Sequence, residues 1–162
     1  MIRELARKLA AFGEFKDFVI VEIIFRRGNF ESAAQIVKNF SSRVTLRATS
    51  TEAEVLVKMI RPRHEVKVCE LKPAENFWRI FTAKEIFDFA AAVGDKNPIH
   101  QLNPPIVPAF LILESICAEF KANFKLRFKN FIVAGETLNL NVADNSFEIT
   151  CAGIKKVTGE FL

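Results

Sequence analysis

The segment that most limits what this chain can become is Pro108 to Asn123, PAFLILESICAEFKAN. It is helical in pattern and apolar over most of its circumference, so it has to be buried on nearly every side. Four segments with strand alternation follow it, over residues 124–133, 137–143, 147–152 and 155–162. Turn residues separate them at Ala134-Gly135, Asp144-Asn145 and Gly153. A buried helix followed by an antiparallel meander predicts one sheet wrapped around one helix, an α+β architecture.

The approach to that helix is marked with equal clarity. Thr82-Ala-Lys-Glu85 is a capping box, with Phe81 and Ile86 placed as a hydrophobic staple. The helix it opens should run to Val93 and stop at Gly94, which tolerates the left-handed conformation of a C-terminal cap. A polar loop follows, Asp95-Lys-Asn-Pro-Ile-His100. Pro104 and Pro105 keep the chain extended, and Pro108 suits the first turn of the buried helix.

Residues 1–72 read as a separate small α/β unit, with a boundary near Pro73 and the polar stretch 72–76. Residues 2–12 have helical spacing. Residues 18–25, FVIVEIIF, read as a buried strand. Residues 30–40 place Ala33, Ile36, Val37 and Phe40 on one face and predict an amphipathic helix. Residues 43–47 are a strand. Thr49-Ser-Thr-Glu52 fits either a turn or a capping box, and 53–60 fits strand or helix. EVKVCEL, 65–71, is another strand.

Composition narrows the classes. Of 162 residues, 50% are hydrophobic and 26% charged, an ordinary globular balance for one average domain or two small ones. No apolar run is long enough to span a bilayer, and the N-terminus has no apolar signal core. Cys69, Cys117 and Cys151 are odd in number and form no C-x-x-C pair, which argues against a disulfide framework or structural zinc and for reducing cytoplasm. Residues 1–72 carry 14 Lys and Arg against 9 Asp and Glu; residues 73–162 carry 9 against 10. The basic half reads as a solvated face, because no basic run with interleaved aromatics suggests nucleic acid. There is no Tyr to serve as a catalytic acid.

The stretch FTAKEIFDFAAAVGDKNPIH resembles the hydratase motif of MaoC-like and (R)-specific enoyl-CoA hydratases of the hotdog fold. Their pattern is G-D-x-N-P-[apolar]-H, matched here by Gly94, Asp95, Asn97, Pro98, Ile99 and His100. Pro105-Ile-Val-Pro-Ala-Phe-Leu111 resembles the family's P-I-V-P-G-M-L, and Val133-Ala-Gly-Glu-Thr-Leu138 its V-x-x-G-D-x-L turn. The resemblance covers about residues 77–162. Two departures stand out. Only Gln101 to Pro104 separate the two first motifs, where the family has a longer segment, and Ala109 replaces a glycine. The strand followed by GNFESAAQIVKNFSSRVTLR is faintly similar to the HPr phosphocarrier, but Asn29 stands at the phosphorylated His position, so no phosphoryl transfer is implied.

By residue type alone, Asp95 fits a loop cap and His100 an exposed loop position. The resemblance implies instead that they are the catalytic pair, acting on one water during hydration or dehydration of an enoyl or 3-hydroxyacyl thioester. It implies substrate contacts at Asn97, Pro108, Ala109 and Phe110, with the first amides of the helix as an oxyanion site. It implies no cofactor or metal and a substrate carried on CoA or acyl carrier protein. A degenerate module that binds an acyl thioester or a protein partner is the alternative. Glu114 and Ser115 interrupt the apolar helix, so one must face inward or toward an interface. Cys117 reads as core and His64 as a solvated loop residue.

A single hotdog sheet leaves an edge strand unpaired. Residues 1–72 read as too short, and too different in element order, to supply a second one. A two-fold homodimer through the C-terminal units is therefore expected, with the N-terminal unit outside the junction or over the open edge.

Overall fold

The computed structural model describes residues 1–62 and 76–162. The expected strand 65–71, the boundary near Pro73, Cys69 and His64 lie outside the described residues.

Helix α1 (Ile2–Ala10) opens the chain, burying Ile2, Leu5, Ala6 and Leu9 on one face. It leads into β1 (Val19–Arg27), β2 (Ala33–Phe40), β3 (Arg43–Thr49) and β4 (Ala53–Ile60). The short β5 (Phe77–Arg79) precedes α2 (Ala83–Val93) and the apolar α3 (Ala109–Glu119). The meander β6 (Phe124–Phe128), β7 (Leu138–Ala143), β8 (Ser146–Cys151) and β9 (Ile154–Phe161) ends the chain. Among the described residues these nine strands form one sheet in the order β2-β3-β4-β1-β6-β9-β8-β7-β5.

Two expectations for the N-terminal half are corrected. Residues 33–40 are not a helix but the edge strand β2, paired with β3 from Ala33↔Thr49 to Phe40↔Arg43. A register shift between Ile36 and Lys38 leaves Val37 as the extra residue. Such a bulge interrupts strand alternation, and it places Ile36 and Val37 side by side in a spacing that imitates a helical face. The strand–helix–strand pattern behind the HPr likeness is therefore absent. Thr49 to Glu52 resolve as the turn between β3 and β4, where the Ser50 N–H reaches the Ala53 carbonyl at 2.8 Å.

The second correction concerns element order. Residues 2–60 run helix then four antiparallel strands, ordered β1-β4-β3-β2 outward from the middle of the sheet. Residues 109–161 run α3 then four strands, ordered β6-β9-β8-β7. The two halves repeat one plan and meet where β1 pairs antiparallel with β6, from Glu22↔Arg127 to Phe25↔Phe124. The β6 edge is thus covered by β1 of the N-terminal half, one of the two placements expected for that half.

Packing across that join is continuous. Phe25 and Phe124 are both fully buried and stack with centroids 5.1 Å apart, a geometry worth about 1 kcal/mol beyond area burial. One core cluster holds Leu5 and Leu9 of α1, Val55 and Val57 of β4, and Leu113 and Ile116 of α3. On the other face Glu22 bridges the join, with Lys58 of β4 at 2.7 Å and Lys125 of β6 at 3.3 Å. Of the two polar interruptions in α3, Ser115 faces inward and bonds the Leu111 carbonyl at 2.9 Å. Glu114 faces α1, where Arg3 holds it through two hydrogen bonds of 2.9 and 3.2 Å.

Gly159 on β9 has a packing role. It pairs with Phe147 of β8, and a Cβ built on it would lie only 2.1–2.5 Å from three carbons of the Phe147 ring. Phe147 is buried among Phe120, Phe124 and Phe161 and has little freedom to move away. We expect Gly159→Ala to destabilise the protein by about 2–3 kcal/mol, as overpacking does. The check is a lower urea midpoint with an unchanged m-value; an unchanged midpoint contradicts the packing.

Candidate active site

The site is built at the C-terminal end of α2. Thr82 caps that helix by accepting the Glu85 N–H at 3.2 Å, and Glu85 reaches back to the Thr82 N–H. Phe81 and Ile86 are both fully buried beside this cap, where a staple belongs. At the other end Gly94 takes φ 73°, and the Asp95 N–H returns to the Ala90 carbonyl at 2.9 Å. This is the six-to-one bond of a Schellman ending, and it sets the direction in which Asp95 leaves the helix.

Beyond Gly94 the loop is held by its own polar side chains. The Asp95 carboxylate accepts the Asn97 N–H at 2.9 Å. Asn97 accepts the Ile99 N–H at 3.2 Å and donates its amide to the Phe18 carbonyl at 2.9 Å. Asn97 is buried with both ends of its amide engaged, so its role in the structure is to tie the loop to the N-terminal half. Pro98 starts a short 3-10 turn ending at Gln101, which brings His100 back over Asp95.

His100 Nε2 lies 3.2 Å from Asp95 Oδ2. His100 is only 6% exposed, and its Nδ1 lies 2.7 Å from the Ile106 carbonyl. A carbonyl can only accept, so Nδ1 carries a hydrogen. Nε2 and the carboxylate then attract only when one proton lies between them. Burial pushes the Asp95 carboxyl upward. The His100 hydrogen bond and charge, with the Asn97 N–H, outweigh that and hold it below the usual carboxylate range. The pair is thus a store for one transferable proton.

The dyad lines a cavity of about 1380 Å³ walled by both halves of the chain. Leu9, Phe15, Phe18 and Met59 come from the N-terminal half; Pro108, Ala109 and Phe110 come from the C-terminal half. Pro108 precedes the first helical residue, and its carbonyl accepts the Leu111 and Ile112 N–H groups. The Ala109 and Phe110 N–H groups precede any intrahelical acceptor and sit at the positive end of α3. Asp95, Asn97, His100, Pro108, Ala109 and Phe110 all line this one cavity. Burial pushes the half-buried Cys117 thiol up to about 11, which makes it a poor nucleophile.

Other contributors carried no functional signal in the sequence. The carbonyls of Phe18 and Ile106 act through the backbone, which no side-chain pattern reveals. Lys156 stands beside the exposed Lys155 in a β-strand and reads as a second surface lysine. It is instead buried against Glu136, Nζ to Oε1 2.7 Å. Glu136, the acidic residue of the Val133-Ala-Gly-Glu turn, is the one charged residue in that motif.

No family model matches the chain, and no curated protein matches it. Solved structures do. HtdX from Mycobacterium tuberculosis superposes with a TM-score of 0.70 at 16% identity, covering 99% of this chain and 86% of that one. The full-length peroxisomal multifunctional enzyme type 2 from Drosophila melanogaster superposes with a TM-score of 0.58 at 14% identity. That match covers 98% of this chain and 40% of the fly enzyme. Both are likenesses of fold alone, and they agree with a hotdog architecture.

Proposed function

We propose that this chain adds water to, or removes it from, an acyl thioester, interconverting trans-2-enoyl and 3-hydroxyacyl forms. The observation that carries the reading is the convergence of Asp95 and His100 within 3.2 Å in the cavity shared with the α3 N-terminus. In the hydration direction the Asp95 carboxylate takes a proton from water as the water oxygen bonds C3. His100 Nε2–H gives a proton to C2, and water's elements are added across the double bond with no change of oxidation state. The negative charge that passes through the thioester oxygen meets the Ala109 and Phe110 N–H groups. The reverse sequence dehydrates a 3-hydroxyacyl thioester. Fold likeness to a multifunctional enzyme is consistent with turnover. The carrier in this reading is CoA or acyl carrier protein.

A second reading is a module that binds the thioester without turning it over. The direct Asp95–His100 contact favours it, because that contact leaves no gap for a water between the two groups. The two readings separate in one assay. With crotonyl-CoA, turnover followed by loss of the enoyl absorbance supports the enzyme; calorimetric binding without turnover supports the module.

If the enzyme reading holds, Asp95→Asn and His100→Ala should each lower kcat by about 100-fold or more, the usual size of a lost acid–base group. Activity that survives both substitutions overturns the assignment.

The dyad also has a signature that needs no substrate. Asp95 titrates lower in the folded chain than in the unfolded one, so its contribution to stability is present above about pH 4 and fades as pH falls through its folded value. Asp95→Asn should therefore be less stable than the parent at pH 7, with the difference closing below about pH 4. Denaturation midpoints across that range decide it, and a gap that stays constant contradicts the lowered titration of Asp95.

A further inference from the structure

The most buried charges among the described residues are not in the dyad. Lys156 and Glu136 have side chains only 1% and 2% exposed. Lys156 Nζ donates to Glu136 Oε1 and to the Phe131 carbonyl, both at 2.7 Å. Glu136 Oε2 accepts the Val133 N–H at 3.1 Å. The pair thus grips two backbone points of the loop between β6 and β7, a loop that among the described residues forms one isolated bridge, Ile106↔Val133.

That bridge faces the site. The Val107 N–H bonds the Ile132 carbonyl at 2.8 Å, and the Ala134 N–H bonds the Pro105 carbonyl at 2.9 Å. Between them, Ile106 donates its N–H to the Ile99 carbonyl at 3.1 Å and offers its own carbonyl to His100 Nδ1. Three residues further on, α3 begins with the amides of Ala109 and Phe110. Phe131 and Ile132 also line the cavity. The path from the ion pair to the imidazole therefore runs through Val133 and Ile106, with each step a hydrogen bond or a backbone pairing.

We propose that Glu136 and Lys156 are positioning residues for His100: they lock the 131–133 backbone, which holds the Ile106 carbonyl where it fixes the hydrogen on Nδ1 and leaves Nε2 for chemistry. A buried ion pair is a poor source of stability when an apolar pair of similar volume can replace it. Its value here is geometric, because two charged groups with directed bonds hold a loop in one position where apolar side chains would let it shift. The inference rests on the hydratase reading only for its kinetic arm.

The test uses the ring itself. The chain has two histidines, so His64→Gln leaves His100 as the single imidazole for nitrogen-15 correlation spectra. In that background the Nδ1–H signal should be present and slow to exchange. Glu136→Leu/Lys156→Met removes the two charges of this pair together, so that neither is left facing an apolar side chain in place of the other. We expect it to lose or broaden the Nδ1–H signal and to lower kcat on crotonyl-CoA roughly 10-fold or more, with KM changed less than about threefold. Glu136→Gln/Lys156→Met keeps an acceptor for the Val133 N–H and serves as the milder variant if the first does not fold. It should shift the signal in the same direction by less. A purely structural pair would lower stability in either folded variant and leave the His100 signal and the pH profile of kcat as they were, and that result overturns the proposal. If the parent protein has no turnover, the proposed function fails while the ring signal still decides this inference.

Discussion

The antiparallel pairing of β1 with β6 is the contact on which everything else in this structure depends. It joins two four-stranded units of the same plan, the second extended by β5 at its outer edge, into one sheet and satisfies the backbone groups that each unit would otherwise leave at the join. The stacked Phe25 and Phe124 rings lie along it, and the Glu22 ion pairs span it on the other face. Because the join is made, the N-terminal half can wall the cavity whose chemical groups all come from the C-terminal half. A single chain thus encloses what one such half alone would leave open on one side.

Within that frame the site solves a problem of buried polarity. Asp95, Asn97 and His100 lie in a largely apolar wall, where unpaired polar groups are costly. Each is satisfied through a named partner: Asp95 by the Asn97 N–H, Asn97 by Phe18 and Ile99, His100 by Ile106. Those partners do more than pair. The Phe18 carbonyl ties the loop to the other half of the chain, and the Ile106 carbonyl selects which ring nitrogen carries hydrogen. Satisfying the buried polar groups and orienting Asp95 and His100 are one arrangement here, made largely of main-chain hydrogen bonds.

Local signals were legible where a short stretch of chain decides its own conformation. Thr82 and Glu85 mark the start of α2 because both partners of the capping box lie within one turn. Gly94 marks its end because the left-handed position penalises a Cβ. The meander from β6 to β9 was readable from alternation and turns. The same reasoning misread residues 33–40. β2 is exposed on both faces, so burial does not impose an alternating pattern on it, and the bulge at Val37 breaks the alternation further.

By itself, then, the sequence determined the capped α2, the Gly94 exit, the buried α3 and the order Asp95, Asn97, His100. Each of these is set by contacts within a few residues or by a hydrophobic period. Only the tertiary structure decided that residues 2–60 repeat the plan of residues 109–161, that β1 closes the β6 edge, and that Lys156 is buried under the loop at 131–133. Strand partners are separated by about a hundred residues or come from different hairpins, and backbone carbonyls look alike at every position. The pairing of edges and the destination of a carbonyl therefore have no local signature, and they emerge only when the whole sheet is assembled.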